Sequence, residues 1–76
     1  MDKLKSAFIN VLGVSPEGDF ESLVYGQTGW DSVAHMELVA ELEAAFDIML
    51  PSDDVIGMSS FLMAKEIIVR NGAILS

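Results

Sequence analysis

The stretch GWDSVAHMELVAELEAAF, residues 29–46, decides the fold. Residues 33–46 contain neither Gly nor Pro, so nothing in them breaks a helix. Leu38, Leu42 and Phe46 recur every fourth residue, with Val39 and Ala45 beside them, which stacks apolar side chains on one helical face. Glu37, Glu41 and Glu43 fall off that stripe and mark the solvated side. With a rise of about 1.5 Å per residue, the helix spans roughly 20 Å. Asp31 or Ser32 caps it, since a short side-chain oxygen ahead of the first turn accepts an unpaired backbone N–H.

Ahead of this helix, residues 13–31 show no sustained period and contain Pro16 with Gly13, Gly18, Gly26 and Gly29. Ser15-Pro16-Glu17 is expected to start one helical turn, and Phe20, Leu23, Val24 and Tyr25 to pin the stretch to the core. So long an irregular connection in a small domain is expected only where the loop has work to do. Earlier still, Leu4, Ala7, Phe8, Val11 and Leu12 predict an amphipathic helix over 2–12, with Asp2 in its first turn and Gly13 as its stop.

Beyond the central helix, Pro51 ends any continuation. Ser52-Asp53-Asp54 offers N-cap chemistry for a short turn through Val55-Ile56 before Gly57. Ser59 or Ser60 caps a last helix whose buried stripe is Phe61, Ala64, Ile67 and Ile68 and which stops at Asn71-Gly72. Lys65 and Arg70 sit in its C-terminal half, where cations suit the dipole, and residues 73–76 are expected to fray. No strand alternation or internal repeat interrupts this order. The expected fold is all-α: one domain over 1–76, a small four-helix bundle of three main helices and one short one, with a long first loop.

At 76 residues such a domain has a thin stability margin. It has no cysteine, hence no disulfide and no thiolate zinc site. The net charge is −8, and its placement is informative: Lys3, Lys5, Lys65 and Arg70 lie near the ends, while residues 6–64 hold ten acids and no Lys or Arg. Such a surface repels nucleic acid and anionic lipid and attracts basic protein surfaces. Lys3, Lys5 and Asn10 break up the apolar start, so no export signal is legible, and no apolar run reaches the length of a membrane span. The expectation is a cytoplasmic monomer with no membrane and no nucleic-acid partner.

Ser32 is the chemically interesting residue. It stands at the head of a rigid helix after a flexible loop, where an attached phosphate would meet unpaired backbone N–H groups and the positive end of the helix dipole. The same placement also describes an ordinary capping residue. His35, three positions on, invites a Ser–His nucleophile. That chemistry also needs an orienting acid, an oxyanion hole and a cleft, and so small a bundle has little room for them. His35 is therefore read as a partly exposed helix residue, and no catalysis is expected. The Met residues divide between core filling and partner contact. Asp53-Asp54 lacks the spaced Asp, Gly and Glu of a calcium loop, so no metal site is expected.

Trp30-Asp31-Ser32-Val33, followed by Met36-Glu37-Leu38 and the run to Phe46, resembles the Asp-Ser-Leu attachment site of acyl and peptidyl carrier proteins. Asp53 and Asp54 after Pro51, and the order helix, long loop, helix, short helix, helix, are similar to that family over nearly the whole chain. The resemblance implies that Ser32 receives a covalent 4′-phosphopantetheine from coenzyme A through a separate phosphopantetheinyl transferase. It implies that Asp31 helps hold magnesium during the transfer, and that the arm's thiol carries an acyl group as a thioester for loading and processing enzymes with basic docking surfaces. Fatty-acid, polyketide and related pathways, aminoacyl or peptidyl cargo, and an unmodified acidic interaction module all stay open. Val33 replaces the usual leucine, and Ala34, Ala44, Ala45 and Ile56 stand where acids are common. The resemblance therefore implies a more apolar partner face than a housekeeping fatty-acid carrier has, made of Val33, Met36 and Ile56 with Glu37 and Glu43 as its charged rim. Trp30-Asp31-Ser32 with His35-Met36 looks more like specialised carriers. By the same resemblance Leu38, Leu42, Leu50, Val55, Met58, Phe61, Ala64 and Ile67 line an acyl cavity, and the core is expected to open for the cargo.

Overall fold

A computed structural model describes residues 3–27 and 29–73. Among the described residues four α-helices follow in order: α1 (Lys3–Leu12), α2 (Ser32–Phe46), α3 (Ser52–Gly57) and α4 (Phe61–Arg70). A 3₁₀ turn, Phe20–Ser22, interrupts the long connection between α1 and α2. No helix among the described residues is long and apolar enough to cross a membrane.

The apolar stripes read from the sequence meet in one core. Leu4, Ala7 and Phe8 of α1, Leu38, Val39 and Leu42 of α2, and Phe61, Ala64, Ile67 and Ile68 of α4 are all buried. Phe8 is the aromatic hub. Its ring meets Trp30 edge-on at 5.3 Å and Phe61 at 5.0 Å, and Phe61 in turn meets Phe20 at 5.3 Å. Edge-to-face pairs of this kind add roughly 0.5–1.5 kcal/mol each beyond the area they bury.

The long connection is tied down by backbone bonds as well as by rings. Val24 and Ser60 form an isolated antiparallel bridge. Tyr25 N–H donates to Ser59 O at 2.8 Å, and Phe61 N–H donates to Leu23 O at 3.0 Å. The loop is thus stitched to the start of α4.

Several expectations are corrected. The helical turn of the loop forms at Phe20–Ser22 rather than at Ser15-Pro16-Glu17, where Ser15 O accepts from Gly18 N–H and closes only a tight turn. Of the four expected anchors, Phe20 and Leu23 are buried, but Val24 and Tyr25 are exposed, and buried Trp30 takes their place. α2 does end at Phe46 as expected, with Asp47 as its cap in the left-handed conformation at φ 53°. Pro51 is itself the N-cap of α3, with no side-chain cap from Ser52 or its neighbours. Ala73 does not fray: it is buried, and its N–H donates to Ile68 O at 2.9 Å. Asp2 and residues 74–76 lie outside the described residues. Gly13 stops α1 as expected, with a positive φ of 70° and its N–H on Ile9 O.

Candidate functional site

The head of α2 settles which of two neighbours is the cap. Asp31 is the N-cap: its Oδ1 accepts from Ala34 N–H at 2.8 Å. Ser32 is the first helical residue, exposed, and its hydroxyl has no hydrogen-bond partner among the described residues. Capping is done one position earlier, which leaves the serine oxygen bare. The Ser32 and Val33 N–H groups are also unpaired among the described residues, as the first turn of a helix leaves them. Gly29 delivers the chain to this point at φ 78° with open space around it, so a side chain there would be opposed by the backbone angle alone.

A cavity of about 350 Å³ opens beside Ser32. It is lined by Tyr25, Ser32, His35, Met36, Val55, Ile56, Met58 and Ser59, a set without a formally charged acid, Lys or Arg. Val33, Met36 and Ile56 are 68%, 59% and 81% exposed, an unusually apolar outer rim for so acidic a chain. Glu37 is exposed one turn beyond Val33, beside the shallow groove that α2 shares with α1.

Glu43, expected on the same rim, is engaged within the fold. It is half-buried, and its Oε2 accepts from Leu50 N–H at 2.9 Å, fastening the α2–α3 connection. The structure therefore gives it a structural bond that Glu37 lacks.

His35 is likewise more than a partly exposed helix residue. Trp30 Nε1–H donates to its Nδ1 at 3.0 Å, and its Nε2 lies 2.7 Å from Val55 O. Because the indole only donates and the carbonyl only accepts, Nε2 carries the proton and donates to Val55 O. Both ring nitrogens are thus committed, and neither serves Ser32 as a base. The ring stacks on Trp30 at 6.0 Å and 22°, and Tyr25 meets it edge-on at 5.5 Å. Sequence reading missed this assembly, and also Tyr25 and Ser59 as cavity walls, because the partners come from three separate segments.

Seven of the eight expected acyl-cavity residues, Leu38, Leu42, Leu50, Met58, Phe61, Ala64 and Ile67, are buried together in the core, and half-buried Val55 packs against it. Only Val55 and Met58 of the eight line the cavity beside Ser32.

α3 is held by a second polar cluster. Asp54 is bonded by the side chains of Arg70 and Asn71 on α4, the latter at 2.8 Å from Nδ2 to Oδ2. The Asn71 amide above all holds the Asp54 carboxyl below the usual aspartate range; desolvation opposes it, and the Arg70 guanidinium adds to the lowering.

A helical bundle that presents an unengaged serine on the head of a rigid helix, beside an apolar cavity and under an acidic surface, has the layout of a carrier domain. The family model described as the phosphopantetheine attachment site matches residues 2–63, and the chain belongs to that family. Its members are carriers whose prosthetic group is 4′-phosphopantetheine. No solved structure matches the chain. The residues at the head of α2 fit such a group: a free hydroxyl to esterify, and adjacent unpaired N–H groups to face its phosphate.

Proposed function

We propose that Ser32 carries the 4′-phosphopantetheine and that the chain is an acyl carrier, presenting acyl thioesters to the enzymes that load and process them. The observation that carries this reading is the bare Ser32 hydroxyl at the start of α2, with Asp31 doing the capping. In the transfer, the Ser32 hydroxyl gives its proton to a base of the transferase and its oxygen bonds to the pantetheine-side phosphorus of coenzyme A, while the pyrophosphate P–O bond breaks and adenosine 3′,5′-bisphosphate leaves. Asp31 Oδ2 has no partner among the described residues and is the oxygen available to the magnesium of the transferase. Once attached, the arm supplies the thiol that this chain lacks, and the chain's own residues position it.

An acyl cargo is favoured over an aminoacyl one by the cavity wall. No carboxylate lines the cavity, so a free ammonium entering it would give up water without gaining an ion pair. Val33, Met36 and Ile56 are read as the apolar contact for partner enzymes, and Glu37 as the charge that steers basic docking surfaces to them.

The test is intact mass after incubation with coenzyme A and a phosphopantetheinyl transferase. The natural chain gains one phosphopantetheine and Ser32→Ala gains none. A Ser32→Ala chain that still gains the mass overturns the assignment.

A further inference from the structure

α3 contributes no fully buried side chain and only half-buried Val55 packs against the core, so its position depends largely on two polar ties, at Asp54 and at Val55. Asp54 ties its first turn to α4. Val55 O ties it to α2 through His35, whose other nitrogen is held by the buried Trp30 indole.

This relay lies between the Ser32 cavity and the core. His35 is part of the cavity wall, Trp30 is stacked on its ring, and Trp30 in turn packs edge-on against Phe8 of the core. Leu38, Leu42 and Ile67 belong to the core and form no part of the cavity wall. The cavity wall on the side of the core is made by His35 together with Val55 and Met58, and parting α2 from α3 at the His35–Val55 bond to reach those residues displaces the imidazole. Doing so breaks both bonds and leaves a buried indole N–H without an acceptor, an arrangement that folded proteins avoid.

We propose that His35 is a specificity-determining residue: it bolts α3 to α2 across the route into the core and so confines the cargo to the cavity beside Ser32, favouring short or compact acyl groups over long straight chains. The proposal rests on Ser32 being the attachment residue. A long chain left outside keeps its apolar CH₂ groups in water, which is unfavourable for each of them. The bolt therefore opposes a real driving force, and that makes its effect measurable.

The experiment loads the arm with butyryl and with octanoyl groups and follows methyl NMR shifts in the natural chain, His35→Leu and His35→Gln. Leucine keeps the bulk but neither bond. Glutamine offers an amide oxygen to Trp30 and an amide N–H to Val55. In the natural chain and in His35→Gln, the methyls of Met36, Val55 and Ile56 shift with either cargo, while those of Leu42 and Ile67 are the same for both. In His35→Leu, octanoyl moves Leu42 and Ile67 and butyryl does not. Octanoyl-dependent shifts of Leu42 and Ile67 in the natural chain overturn the proposal, whatever the variants do. Like behaviour of the leucine and glutamine variants overturns it too. Intact mass is read first, so a chain that gains no arm at Ser32 refutes the attachment reading and not the bolt. The bolt is also read on the arm-free protein, where exchange of the Trp30 indole proton and of the Ile56 and Gly57 amides is roughly tenfold faster in His35→Leu, the loss of about one net hydrogen bond. Equal exchange rates in the natural chain and His35→Leu refute it.

Discussion

At the scale of single residues, Asp31 and Ser32 stand side by side with separate duties. Asp31→Ala removes the cap of α2 and is expected to lower stability by about 0.5–2 kcal/mol in urea or thermal unfolding. Ser32→Ala breaks no hydrogen bond among the described residues and is expected to stay within about 0.5 kcal/mol of the natural chain. The reverse outcome would make Ser32 the cap and remove the main support for its being the attachment residue. His35→Ala strands the Trp30 indole N–H and is expected to cost about 1–3 kcal/mol, more than its half-exposed position suggests. The sequence placed the cap within one position, because short polar residues before an apolar run leave few alternatives. The duty of His35 was not legible. Its partners lie five residues before it and twenty after, and only the finished fold brings Trp30 and Val55 to opposite edges of its ring.

At the scale of helices, α2 and α4 were readable because their apolar residues recur at a helical period; the buried stripe of α4 is the one predicted, and that of α2 is Leu38, Val39 and Leu42, with the expected Ala45 and Phe46 only partly buried. α3 was harder, since a six-residue helix without a buried side chain has no stripe to read. Trp30 escaped for the related reason that a loop residue has no period to betray which way it points. The ties that hold α3 make two predictions. Glu43→Lys loses the bond to Leu50 N–H and is expected to lower stability by about 1–3 kcal/mol, seen as an earlier urea midpoint at unchanged slope. Asp54 gives a pH dependence. Its carboxyl is lowered in the folded state, so its contribution is complete above the ordinary aspartate range and is lost as pH falls through the folded value. Urea unfolding followed from about pH 6 to pH 3 should show a stability loss that is shallower in Asp54→Asn than in the natural chain. Parallel profiles would mean that Arg70 and Asn71 do not favour the charged carboxylate.

At the scale of the whole molecule, charge and apolar surface are arranged for different stages of an encounter. In the docking proposed above, the acidic stretch over residues 6–64 would act at a distance and the exposed Val33, Met36 and Ile56 on contact. Glu37→Lys is expected to slow association with a basic partner enzyme at low salt, with the difference shrinking as salt screens it. Dissociation should change little. An association rate unaffected by Glu37→Lys at every salt concentration would assign the encounter to the apolar residues alone. The all-helical class was legible from periodicity. The bridge between Val24 and Ser60 was not, because two lone residues paired across the chain leave no alternating pattern.

The chain has one tryptophan, and it is buried at 1% exposure against both Phe8 and His35. Nature has thereby fitted an optical reporter at the junction of core and cavity. Its emission arises from a single site, with Tyr25 6.3 Å away as an efficient energy donor, so ultraviolet excitation of either ring reads the same spot. A fluorimeter alone can then follow loading, partner docking or a displaced imidazole in real time, on unlabelled protein and with no residue changed.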